Sequence, residues 1–265
     1  MKEICRDLDA QYLELDTLVS GLKETNWFAT TPFYGWTIFD QVAHVAFFDH
    51  QALLAIEQPR TFEQRAPSTL QILSSEGEWP PKTNPLLGPE RPNELLTLWR
   101  KIRKELLERL KQMSPKDRII WYGPDMSTIS FATARLMETW AHSQDVFDTL
   151  HKKREPTARL RHVAHIGVTT INWSFTIRNL PSPNINPFVE LTGPSGERWK
   201  WGRPDAAETV TGNAEEFCLV VTQRRNIADT SLQFRGKHVK QWLTIAQAFA
   251  GIAQDPPAPG ERVII

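Results

Sequence analysis

Residues 135–146 read Arg135-Leu136-Met137-Glu138-Thr139-Trp140-Ala141-His142-Ser143-Gln144-Asp145-Val146, and this stretch decides how the rest of the chain is organised. Its apolar residues recur at helical spacing, and Ser127 upstream is a suitable N-cap, so the pattern predicts a helix from there to about Lys152. Within it Glu138 and His142 stand one helical turn apart. Four residues advance a helix by about 400°, which leaves the two side chains about 40° apart on one face and about 6 Å along the axis. A carboxylate and an imidazole so placed converge on one cation. A hard oxygen with a borderline nitrogen suits zinc, with nickel and iron as further candidates, and leaves a coordination position open for water or substrate.

A third ligand must come from another element, and His44 is the natural candidate. Thr37, with Asp40 three residues on, opens a helix that runs to about Glu57 and is apolar nearly all round. An imidazole among Val42, Ala43, Val45, Phe47 and Phe48 needs a polar partner, which a metal supplies; the bland reading is a hydrogen-bonded core histidine. Asp40 and Asp145 lie where they would orient the imidazoles, or else are ordinary helix-surface residues. His50, about 240° around the helix from His44, points away from the same metal.

The organisation around these helices is an α+β fold. Amphipathic helices are predicted at 4–22 and 92–114, and another at 157–180. Six prolines between residues 58 and 91 predict a long loop there. From residue 183 the pattern changes to short strands at 188–191, 198–201, 209–211 and 231–235, with helices at 214–223 and 237–250. Asn213 and Glu216 form a capping-box-like start for the first of these. The expected division is therefore an antiparallel helical bundle over 1–182 and a small α+β domain over 183–265 that closes over the site.

Composition narrows the function classes. The 265 residues carry 31 Lys+Arg against 31 Asp+Glu, a net charge of zero, which argues against nucleic acid or an anionic membrane as partner. No stretch approaches the roughly 18 apolar residues of a membrane helix. Small molecules are the expected partners, with the chain a monomer or homodimer, since no heptad seam demands more. The cysteines, Cys5 and Cys218, stand far apart, so neither a disulfide framework nor a cysteine zinc site is expected. With no signal-like apolar run at the first residues, the expected setting is the reducing cytoplasm.

The stretches Trp36-Thr37-Ile38-Phe39-Asp40-Gln41-Val42-Ala43-His44 and 135–146 together resemble the DinB-like metalloenzyme superfamily, and more closely its mycothiol-dependent maleylpyruvate isomerase branch. The segments Trp121-Tyr122-Gly123-Pro124, 159–165 and 217–225 look like an uncharacterised metal-binding subgroup of that branch. The resemblance implies ligands at His44, Glu138 and His142 and a metal, usually zinc, that activates a low-molecular-weight thiol such as mycothiol for isomerisation or transfer. It implies also an arginine from the C-terminal domain, suited to a substrate carboxylate. Arg224 is the best positional match, with Arg225 one residue away, and an exposed basic helix end is the alternative for both. His162 and His165 form either a second polar site or packing contacts, and Trp199 and Trp201 have no assigned role. Two other readings stay open: a metal-dependent enzyme that uses no thiol, through metal-bound water or redox iron, and a non-catalytic binding protein with a structural metal.

Overall fold

Apolar side chains at Ile4, Leu8, Tyr12, Leu15 and Val19 form one stripe of helix α1 (Lys2–Ser20), and all of them are buried. The computed structural model describes residues 1–73, 82–123 and 125–262, which separate into two compact units, Met1–Lys152 and Lys153–Ile265.

In the first unit α1 is followed by α2 (Ile38–Glu57), which packs on its neighbours with nearly every side buried. Thr37 and Asp40 start it with a reciprocal cap: Asp40 N–H donates to Thr37 Oγ1 at 3.2 Å, and Thr37 N–H to Asp40 Oδ2 at 2.9 Å. The loop expected over 58–91 is corrected in its first part. Residues Pro59–Leu73 form helix α3, with Pro67 inside it. Pro59 sits in the first turn, where a missing N–H costs nothing, and the carbonyl that Pro67 leaves unbonded belongs to exposed Glu63. Phe62 supplies the compensating burial, stacking on Trp121 with ring centroids 5.5 Å apart. The short α4 (Asn84–Leu87) lies in the remainder, and 74–81 lie outside the described residues.

Helix α5 (Pro92–Gln112) starts on Pro92 and buries Leu95, Trp99, Ile102, Leu106 and Leu110. A two-stranded hairpin, β1 (Arg118–Ile119) with β2 (Met126–Ser127), then leads into α6 (Thr128–Thr149), whose N-cap is Ser127. The four long helices meet on one buried carboxylate. Asp49 on α2 accepts from Tyr12 Oη of α1 at 2.7 Å, from Trp99 Nε1 of α5 at 3.0 Å and from Arg135 Nε of α6 at 2.9 Å. Burial, reinforced by the Asp49 charge, pushes the Tyr12 hydroxyl well above its usual range, so it stays a donor. Nearer the surface, Asp16 holds Arg100 at 2.9 and 2.5 Å and also Arg103.

The second unit begins with α7 (Leu160–Thr169) and α8 (Ile171–Thr176), two helices with a break at Thr170 where one was expected. A four-stranded sheet follows, from β3 (Phe188–Thr192), β4 (Arg198–Trp201), β5 (Thr209–Asn213) and β6 (Gln233–Arg235), in the order β4-β3-β5-β6. β3 and β5 are parallel; β4 and β6 flank them antiparallel. Helices α9 (Ala214–Val221) and α10 (Lys237–Ile245) complete the α+β architecture. Asn213 Oδ1 caps α9 by accepting from Glu215 N at 2.7 Å and Glu216 N at 3.2 Å. Glu216 does not reciprocate; it accepts from Ser231 N and Oγ instead. The compact units divide at 152/153, whereas the change of composition suggested 182/183, because α7 packs on α9. At that crossing a Cβ on Gly167 would stand 2.7 Å from Val221, so the contact requires glycine.

Two predictions follow from the charge clusters. Asp49→Ala strands the Arg135 guanidinium in the core and is expected to cost about 3–5 kcal/mol in denaturant unfolding, against about 1 kcal/mol or less for Arg100→Ala at the half-exposed Asp16 pair. Burial raises the Asp16 pKa, but hydrogen bonds from Arg100 and Ser20 and the charges of Arg103 and Arg100 outweigh it and lower it to about 2. A depressed pKa stabilises the fold above the unfolded value of about 3.9 and loses that contribution as pH falls through the folded one. Asp16→Asn should therefore be less stable than wild type by the full amount near neutrality, and the gap should shrink between about pH 4 and 2 in acid unfolding, where the wild type loses that contribution.

Candidate metal centre

The site is built from α2 and α6, which run antiparallel past each other. His44 stands in the middle of α2; Glu138 and His142 stand one turn apart on α6, as the helical spacing predicts. Their ligand atoms all lie within 4.8 Å of one another, the only such group of three acidic, histidine or cysteine side chains among the described residues. His142 is buried, while His44 and Glu138 are half-buried, so the cluster has a protein side and an open side.

The geometry fits a tetrahedral ion. Donors about 2.0–2.1 Å from such an ion stand roughly 3.3 Å apart. His142 Nε2 and Glu138 Oε2 are 3.5 Å apart, near that edge length, and all three ligand atoms stay within 4.8 Å of one another. The rings of His44 and His142 have centroids 4.4 Å apart at 43°. Aromatic side chains wall the cluster. Trp36 stacks on His142 at 6.1 Å and 12°, Phe33 meets the same ring edge-on at 5.4 Å, and Phe48 lies 4.7 Å from His44. Phe48 continues into Trp121 and Tyr122, whose hydroxyl donates to Gln51 Oε1 at 2.9 Å.

The residue that orients His142 is one the sequence reading did not nominate. Gln41, fully buried one turn before His44, places Oε1 2.5 Å from His142 Nδ1. Asp145 Oδ2 is 3.9 Å from the same nitrogen, beyond hydrogen-bond range. Asp40 is committed to the α2 cap and to Lys82 at 3.3 Å. The signal for Gln41 was faint: a polar side chain inside an apolar helix, three residues before His44.

Other candidates lie elsewhere. His50 is exposed and outside the cluster. In the second unit His165 Nδ1 accepts from Trp201 Nε1 at 3.2 Å, a polar contact that gives Trp201 a role. Arg224 and Arg225 are both 2% exposed, so the exposed helix end is overturned. Helix α9 stops at Val221, Gln223 adopts φ 60°, and the chain turns to bury both guanidiniums. Arg224 Nη1 donates to Thr222 O and Arg225 Nη1 to Arg224 O, each at 2.8 Å.

Comparison with known proteins gives a consistent picture. Two uncharacterised proteins from two strains of Mycobacterium tuberculosis are each 43% identical over 255 residues, 96% of this chain and 96% of theirs. Two crystal structures of the mycothiol-dependent maleylpyruvate isomerase, one of them a point mutant, share the fold with TM-score 0.54 at 15% and 16% identity, covering 84% of this chain and 89% of theirs. A model described as wyosine base formation matches residues 185–232. The model of the mycothiol maleylpyruvate isomerase N-terminal domain matches residues 8–147, more than half of the chain and both helices of the cluster, and the protein belongs to that family.

Proposed function

We propose that the protein is a divalent-metal-dependent enzyme that uses a low-molecular-weight thiol, such as mycothiol, for isomerisation or transfer on a small electrophilic, carboxylated substrate. The observation that carries this reading is the convergence of His44, Glu138 and His142. Their donor set, two imidazoles and one carboxylate, suits zinc, and nickel or iron also accept it. A divalent ion held there supplies Lewis acidity that lowers the pKa of a bound thiol.

On this reading the sulfur arrives on a small molecule rather than from the chain. Cys5 and Cys218 are buried, and burial pushes both thiols up, Cys218 far up, so neither is a thiolate near neutrality. Among the direct donors only Glu138 carries charge, which leaves a dication with a net positive charge that favours an anionic further ligand. Phe33, Trp36 and Phe48 shield the imidazoles from water and keep that attraction strong. Arg224 is the proposed partner of the substrate carboxylate, on the chemical ground that a buried guanidinium presents paired donors in the geometry a carboxylate accepts. The proposed setting is the cytoplasm, with small-molecule partners; among the described residues no helix is long and apolar enough to cross a membrane.

Metal analysis tests the centre: wild type should carry stoichiometric metal, and His44→Ala, Glu138→Ala and His142→Ala should each lose most of it. Full occupancy in all three would exclude the assignment. In the cobalt-substituted protein, titration with mycothiol should shift the absorption spectrum, and an unchanged spectrum would count against thiol ligation. For the arginine, Arg224→Ala assayed with maleylpyruvate should lower kcat/KM by about 10–100-fold, the loss of one charged hydrogen-bonded contact. A loss confined to Arg225→Ala would transfer the role to its neighbour.

A further inference from the structure

We infer that Thr31 and Gln41 form a relay that holds the His142 ring with its proton on Nδ1 and its Nε2 lone pair facing the metal position, which makes both of them positioning residues of the centre. This rests on the metal-centre reading and extends it beyond the three ligands. An imidazole binds a metal through one nitrogen, and the hydrogen bond made by the other decides which one is available. Here Nδ1 faces Gln41 Oε1 at 2.5 Å, while Nε2 faces Glu138 at 3.5 Å. A carboxamide oxygen only accepts, so Nδ1 carries the proton and Nε2 is left as the donor atom.

The amide end of Gln41 meets Thr31, whose hydroxyl oxygen also takes the Phe33 N–H at 3.4 Å and so faces this side as an acceptor. Gln41 Nε2 donates to Thr31 Oγ1 at 2.8 Å, and both residues are at most 2% exposed, so water does not compete for either group. Reversing the amide would place an N–H against Nδ1, move the ring proton to Nε2 and remove the ligand atom. Thr31 is itself fixed by the tight turn that precedes α2. Thr31 N–H donates to Trp36 O at 2.6 Å, Ile38 N–H donates to Ala29 O at 3.1 Å, and Phe33 N–H reaches Thr31 Oγ1 at 3.4 Å. The same turn carries Phe33 and Trp36, the two rings that pack against His142. One short segment therefore sets the plane of the imidazole by packing and its tautomer by hydrogen bonding.

The test measures zinc affinity by competition with a chromophoric chelator, alongside NMR of the ring nitrogens of the metal-free protein in mildly alkaline buffer. Gln41→Leu should weaken zinc binding about 10–100-fold, the usual effect of losing such an outer partner. Thr31→Val, nearly isosteric, should weaken it in the same direction by less, and Thr31→Ser should restore wild-type affinity. Because Thr31 acts through Gln41, the double variant should bind no more weakly than Gln41→Leu alone, whereas independent structural damage would add. The wild-type ring should show the Nδ1–H tautomer, with Nε2–H appearing in Thr31→Val. The threonine pair carries the comparison if Gln41→Leu does not fold. Wild-type zinc affinity in the variants, additive losses, or an Nε2–H ring in the wild type would each overturn the relay while leaving the metal centre standing. A wild type that binds no zinc would overturn both.

Discussion

The Asp49 carboxylate is the interaction on which the first unit depends. It is fully buried, and its oxygens accept from Tyr12, Trp99 and Arg135, so α1, α5 and α6 are each tied to α2 by a directed bond. Apolar packing tolerates sliding of one helix along another, whereas a buried ion pair with a fixed donor geometry does not. His44 lies five residues before Asp49 on α2, and Glu138 and His142 lie three and seven residues after Arg135 on α6. At about 1.5 Å per residue, these three side chains are within roughly 10 Å of the ion pair along either helix, so the pair that sets the register also sets their spacing. Arg135 keeps its charge although burial opposes it, because the carboxylates of Asp49 and, further off, Glu138 favour the guanidinium. The Glu138 carboxylate is thus itself part of the balance that keeps Arg135 charged in the core.

That dependence explains which parts of the site were legible in the sequence. Glu138 and His142 follow from helical period alone, since both ride on one element. His44 was legible as an imidazole in an apolar run, and Thr37 with Asp40 as a local cap, which the structure reproduces. Gln41 was not legible as a positioning residue. Its role arises only when α6 brings His142 to it from 101 residues away, and an amide inside a helix carries no local mark of that meeting. Asp40 looked the better candidate because it is charged, yet its own helix end had already claimed it.

The fold shows the same division between local and non-local information. Helices with a clear stripe, such as α1 and α5, were legible to within a residue or two. Helix α3 was hidden by its prolines, because counting breakers ignores where each one falls: Pro59 at the start and Pro67 on a solvent-facing turn leave only one carbonyl to be solvated. The β1–β2 hairpin was hidden by its shortness, two residues on each side. An exposed helix end stood as the alternative for Arg224 and Arg225 because the helical periodicity was expected to run to Gln223, past Val221. A single residue in the left-handed region, Gln223, ends that periodicity and redirects everything after it.

The balanced composition acquires a physical meaning in this light. A chain with no net charge exerts little long-range attraction on polyanions, so recognition has to come from charges held at short range in dry surroundings. Asp49 with Arg135, and the buried Arg224 and Arg225, are such charges, each withdrawn from water where its interactions are stronger. Groups of this kind discriminate by geometry: a guanidinium or an ion position rewards a partner of matching shape and sign and penalises one that leaves it unpaired. Cys5 and Cys218 stand outside this set: both are buried, and burial holds their thiols in the neutral form.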